Sequence, residues 1–86
     1  MYKQQTTVQC DSGLYNEQVT YFVQKANEYR CSIWLESGSK KMNAKSLLGI
    51  MSMCIGTGTD VTISADGPDE QDAVTVLCDM LQRDIH

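Results

Sequence analysis

Between Glu17 and Tyr29 the apolar residues fall at Val19, Phe22, Val23, Ala26 and Tyr29, a spacing of i, i+3, i+4, i+7 and i+10. That period lays one stripe of a helix against a core, and it predicts a helix over 17–29. The pattern then changes. In SIWLE, residues 32–36, Ile33 and Leu35 alternate with Ser32, Trp34 and Glu36, the period of two that marks a strand with one buried face. ESGSK supplies a turn into KKMN, so a hairpin is expected there. Ser46 suits an N-cap. Leu47, Leu48, Ile50 and Met51 follow it as the apolar face of a short helix over 46–53, with Ile50 and one of the two leucines directed to the core. The glycines and threonines of 55–59 end that helix. In DVTISAD, 60–66, Val61, Ile63 and Ala65 face one way and Thr62, Ser64 and Asp66 the other, which predicts a second strand with one wet side. Gly67-Pro68 stops it, and Asp69, Glu70 and Gln71 open a last helix with acidic groups at its positive end. Ala73, Val74, Leu77, Met80 and Leu81 form its buried face.

The opening run KQQTTVQ, 3–9, is β-prone but weakly patterned, and it is read as a strand because the sheet needs one. The order is then β-α-β-β-α-β-α. Interleaved strands and helices with alternating apolar faces imply one sheet covered by helices on a single side, the other side facing water. Trp34 falls on that open side, where a single aromatic packs on the sheet face.

Composition narrows the class. Eighty-six residues make one domain, 1–86, and 42% hydrophobic residues, roughly half with the six glycines, suit a globular chain rather than a disordered one. The net charge of −4, without a basic stripe, removes the electrostatic footprint of direct nucleic-acid binding. No apolar run approaches the ~20 residues of a membrane span, and MYKQQTT lacks the apolar segment of a secretory signal, so a cytoplasmic protein is expected. Cys10, Cys31, Cys54 and Cys78 stand more than twenty residues apart, with no C-x-x-C pair. That spacing suits neither zinc nor redox work. Free, partly buried thiols are expected, with two disulfides as the alternative. Redox sensing through Cys31 or Cys54 has no electropositive neighbourhood to support it. Neither a metal nor a cofactor is called for.

The candidate chemistry begins at DSGLYNEQVT, 11–20, a tight turn at Ser12-Gly13 running into the first helix. Helix starts attract anions because several backbone N–H groups there lack helical partners. Tyr15 and Glu17 stand at this start. Read from the residues alone, they are a surface aromatic and an acid that stabilises the positive helix end by about 0.3–1 kcal/mol. His86 is the last residue, at a position where chains usually fray, and it is given no function.

SGL at 12–14, FVQKANEY at 22–29, NAKSLLGIMSM at 43–53, GTDVTI at 58–63 and DEQDA at 69–73 resemble HPr, the small phosphocarrier of the bacterial phosphoenolpyruvate-dependent sugar phosphotransferase system. The resemblance covers nearly the whole chain, and N-x-K-S-x-x-G-x-M-S is its most specific part. It implies an α+β fold, the HPr-like open-faced β-sandwich, with a four-stranded antiparallel sheet and three helices on one side. Family members carry G-[LI]-H-A-R-P-A where this chain has Gly13-Leu14-Tyr15-Asn16-Glu17-Gln18-Val19, so Tyr15 takes the position of the phosphate-accepting histidine and Glu17 that of the arginine. Neutral imidazole, with a pKa near 6.5, forms a labile phosphoryl bond; a phenol titrating near 10 forms an ester that is a poor donor. Glu17 adds a carboxylate that repels an incoming phosphate. The degenerate pair predicts a non-catalytic protein.

Ser46 keeps its motif. In Gram-positive relatives this serine is phosphorylated by HPr kinase/phosphorylase, and the modified form is a corepressor for a LacI-type catabolite regulator. Phosphate on a capping serine adds about −1.5 to −2 charge beside free N–H groups without unfolding the helix. Without the resemblance, Ser46 is an N-cap worth about 1 kcal/mol. The resemblance also assigns a partner surface to Thr20, Leu47, Leu48 and Met51. It points to a histidine-lacking, Crh-like regulatory paralogue acting in carbon catabolite repression, although Crh keeps an arginine and a proline where this chain has Glu17 and Gln18. An atypical phosphocarrier and an HPr-fold binding module that is never phosphorylated are the alternatives. Partners among phosphotransferase-system proteins and a monomeric state are expected.

Overall fold

The computed structural model describes residues 1–9, 17–53 and 55–82, and of Glu17 the backbone only. The elements are β1 (Tyr2–Thr7), α1 (Glu17–Ala26), β2 (Ser32–Ser37), β3 (Lys40–Asn43), α2 (Leu47–Ser52), β4 (Asp60–Asp66) and α3 (Glu70–Gln82). The four strands form one antiparallel sheet in the order β1-β4-β2-β3. All three helices cover one side, α3 lying on β1 and β4 and α1 packing against both α2 and α3. The fold expected from the sequence is the one observed.

The core forms where the two periodicities meet. Ile33, Leu35, Val61, Ile63 and Ala65 project inward from the two central strands, and Phe22, Val19, Ile50, Val74, Leu77 and Leu81 cover them from the helices. β1 was the weakest strand in the sequence because its inward positions are Tyr2, Gln4 and Thr6, in register with Ala65, Ile63 and Val61. Polar residues on the inner face hide the alternation. Thr6 is nevertheless buried, and its hydroxyl accepts a 2.8 Å hydrogen bond from Gln82 Nε2. The strand is shifted to Tyr2–Thr7, and Val8 and Gln9, expected inside it, leave the sheet. Val8 N–H donates to Thr59 O at 2.9 Å and Gln9 N–H to Leu81 O at 2.7 Å.

α1 is shorter than its stripe suggests. After Asn27, whose N–H still reaches Val23 O, the amides of Glu28 and Tyr29 bond only three residues back, to Lys25 O and Ala26 O. The last turn tightens and the helix ends at Ala26, with Tyr29 still packed on the core. The β2–β3 hairpin turns on Gly38, whose φ of 61° is the positive value that the first loop position of either primed hairpin turn requires. In α3 the fully buried fifth position is Cys78, while Met80 is half-buried at the rim of the core. Ser64 departs from expectation too. It does lie on the outer side of the sheet, in register between Lys3 and Trp34, yet it is wholly covered and its Oγ has no hydrogen-bond partner. Trp34 is half-buried there, with the Lys41 ammonium 5.1 Å from its ring centroid.

The acids that open α3 do more than face a helix dipole. Asp69 takes both N–H groups at the entrance to β2, Arg30 N at 2.9 Å and Cys31 N at 3.0 Å. Glu70 accepts from Gly67 N–H at 3.2 Å. Gly67 must be glycine, because with φ 154° an added Cβ would lie 2.6 Å from Cys31 Cα. The Arg30 amide, ahead of the Cys31 contacts, holds the Asp69 carboxyl below its ordinary 3.8. A depressed folded pKa stabilises the fold above the unfolded value, and the gain is lost as pH falls through the folded value. Asp69→Asn is therefore expected to lower the melting temperature at pH 7, with the gap to the parent closing as the pH drops below the carboxylate range. Thermal melts across that range check it.

Candidate functional site

The surroundings of Ser46 are built from the exit of β3. Asn43 ends the strand, Ala44 is fully buried with its N–H on Ile33 O at 2.9 Å, and Asn43 then receives the chain twice. Its side-chain Oδ1 accepts from Lys45 N at 2.8 Å and its carbonyl from Ser46 N at 3.1 Å. This local Asn turn competes with a continued strand and wins, so the chain bends into α2. Ser46 is extended at φ −102°, ψ 112°, and its Oγ accepts from Gly49 N–H at 3.2 Å. That is the N-cap expected of it, on an exposed residue.

Lys45 faces the other way. Its Nζ donates to Tyr29 O at 2.6 Å, and its own carbonyl accepts from Asn27 Nδ2 at 3.2 Å. The motif lysine is thus a strut from the lead-in of α2 to the exit of α1. The sequence marked it only as a member of the motif, without a contact to predict.

Only Ile50 of α2 enters the core, at 0% exposure. Neither leucine joins it, contrary to the expectation that one would: Leu47 is 40% and Leu48 79% exposed, and Met51 is 42%. Six helical residues expose one inward position, and the next apolar places are filled from beyond the helix by Met53 and Ile55. The expected partner residues are therefore at the surface, Thr20 among them on α1. Tyr21, 43% exposed, was not singled out, although it falls off the Val19–Phe22–Val23 stripe and so was legible as an outward residue. No charged residue occurs from Ser46 to Thr59, which leaves the exposed face of α2 neutral and apolar.

Tyr15 and His86 lie outside the described residues, as do Cys10 and Cys54. Glu17 is the first residue of α1. Cys31 and Cys78 are free, as expected, and more completely buried than expected. Burial, with help from the Asp69 carboxylate, pushes the Cys31 thiol up to about 11 against the opposing charge of Lys45. Burial alone pushes Cys78 up to about 11. Both are protonated thiols at neutral pH, poor material for redox sensing. Among the described residues no helix is long and apolar enough to cross a membrane.

Comparison with known proteins places this arrangement. The family model for the HPr component of the phosphotransferase system, described by its phosphorylation site, matches residues 2–83. The HPr-like protein Crh of Bacillus subtilis (strain 168) is 40% identical over 85 residues, covering 99% of this chain and all of Crh. The crystal structure of the phosphocarrier protein HPr from Bacillus anthracis superposes with a TM-score of 0.93 at 37% identity, over 94% of this chain and 96% of that one. The crystal structure of the Bacillus subtilis catabolite repression protein Crh, a domain-swapped dimer, gives 0.76 at 41% identity over 95% and 94% of the two chains. The dimer runs against the monomer expected from the sequence.

The exposures in α2 separate packing from recognition. Ile50→Ala is expected to cost about 2–5 kcal/mol, whereas Leu48→Ala should stay within about 0.5 kcal/mol of the parent. Urea unfolding of the two variants checks this, and equal losses would contradict the assignment.

Proposed function

The chain belongs to the HPr family of the sugar phosphotransferase system, and from that membership we propose that it is a regulatory HPr-like protein that works by binding other proteins, switched by phosphorylation at Ser46. The observation that carries the reading is the state of Ser46. Its hydroxyl is exposed at the head of a helix with no formal charge, next to the outward side chains of Leu47, Leu48 and Met51. A phosphoryl group added there changes a neutral apolar surface into one bearing about −1.5 to −2 charge. Few single modifications alter a surface more.

Tyr15 and Glu17 support the same reading from the other direction. With a phenol where relatives have the phosphate-accepting imidazole, and a carboxylate two residues on, the relay step lacks both its labile acceptor and its cation. The molecule is then recognised rather than used as a carrier. Its modifying enzyme is HPr kinase/phosphorylase, and its targets are a LacI-type catabolite regulator or other phosphotransferase-system proteins in the cytoplasm, with Thr20 and the α2 side chains as the contact surface. The likeness to the phosphocarrier of Bacillus anthracis favours a second reading, an atypical phosphocarrier. Tyr15 weighs against it.

Incubation with HPr kinase/phosphorylase and ATP, followed by intact-mass measurement, tests the switch. One phosphate on the parent and none on Ser46→Ala is expected. A parent chain that takes up no phosphate removes the proposal.

A further inference from the structure

Gly49 stands in α2 where glycine is the less stable choice, since alanine holds a helix better. Its backbone does not ask for glycine, because its φ is not among the positive values found at Gly38, Gly58 and Gly67. Packing does not ask for it either. A Cβ at position 49 would lie 3.7 Å from Met42 Cβ, an ordinary contact. The tight approaches are all to one residue: 3.2 Å to Ser46 Oγ and 3.4 Å to Ser46 Cβ.

An unmodified capping serine does not need that space. In the common capping box the residue three places after the serine is Glu or Gln, with a full side chain, while its N–H still donates to the serine oxygen. Gly49 N–H makes this same bond to Ser46 Oγ. The missing methyl leaves room around Oγ beyond what the hydroxyl occupies. Resting on the Ser46 reading above, we propose that Gly49 is the access residue of the modification site, keeping free the volume that a phosphorus atom and its three oxygens take up on Ser46 Oγ.

The step itself is a phosphoryl transfer from a nucleoside triphosphate. Ser46 Oγ accepts the Gly49 N–H with one lone pair and attacks the γ-phosphorus with the other. The Oγ–P bond forms, the bond from phosphorus to the bridging β–γ oxygen breaks, and nucleoside diphosphate departs. The hydroxyl proton goes to a base on the modifying enzyme. A methyl at position 49 meets Ser46 Oγ at 3.2 Å, an approach that a capping box tolerates beside a hydroxyl, and it fills the space next to that oxygen into which phosphorus and its oxygens would go. The cost therefore appears in the transfer and in the product, while the resting helix gains.

Gly49→Ala in the full chain separates these effects, because stability and modification should move in opposite directions. With HPr kinase/phosphorylase and ATP, kcat/KM for phosphate incorporation is expected to fall at least about tenfold, mainly through kcat, while the melting temperature is unchanged or higher. The double variant Gly49→Ala/Met42→Gly, which removes the strand-side Cβ that faces position 49, should not recover the rate. Modification of Gly49→Ala at the parent rate, rescue by Met42→Gly, or a lowered melting temperature of the single variant Gly49→Ala each overturns the inference. A parent chain that takes no phosphate defeats the Ser46 reading itself, which is a different result from a parent and a variant modified equally.

Discussion

The turn at Asn43 holds the candidate surface around Ser46 in place. One side chain and its own carbonyl collect the amides of Lys45 and Ser46, at 2.8 and 3.1 Å, and so redirect a strand into a helix within three residues. Lys45 then anchors the new direction to Tyr29 O, and Asn27 returns a bond to the Lys45 carbonyl. Because these bonds tie α2 to the exit of α1, a helix of six residues, too short to hold itself together in water, keeps a defined place. Ile50 supplies the one apolar anchor. Leu47, Leu48 and Met51 remain outside as a result of that economy, and a hydrophobic surface is presented beside the Ser46 hydroxyl.

A second set of bonds performs the same service on the far side of the core. Asp69 holds the amides of Arg30 and Cys31, and Glu70 holds Gly67, so the start of α3 is joined to the start of β2 and to the end of β4. The exit of α1 thus meets both joints: Tyr29 faces α2 through its carbonyl, and Arg30, the next residue, faces α3 through its amide. Side chains that accept or donate to backbone groups do most of this work, which is what a small domain with a thin core needs.

Much of this was legible in the residues. Val19, Phe22, Val23 and Ala26 gave away α1 because an amphipathic helix on a core must repeat every 3.6 residues, and Ile33–Leu35 and Val61–Ile63–Ala65 gave away the central strands for the corresponding reason. β1 was obscure because Gln4 and Thr6 occupy its inner positions, and a polar inner face carries no period. The end of α1 was misplaced because Tyr29 keeps the stripe after the hydrogen bonds have changed step. Burial of Ser64 depends on which strands flank it, and that is a property of the sheet order rather than of DVTISAD. At the site, Ser46 was legible as a cap from its type and place. The strut made by Lys45 and the clearance at Gly49 were not, since both depend on distances that only the folded chain sets.

The account as a whole turns on recognition replacing relay. On the proposed reading, Tyr15 and Glu17 stand where relatives carry the acceptor and its cation, while the fold and the Ser46 cap are kept. The most direct measurement is sugar uptake in bacteria deleted for their own phosphocarrier and supplied with this gene. The account predicts that uptake through the phosphotransferase system stays absent while the protein accumulates in folded form. Restored uptake, abolished by Tyr15→Phe, would contradict it.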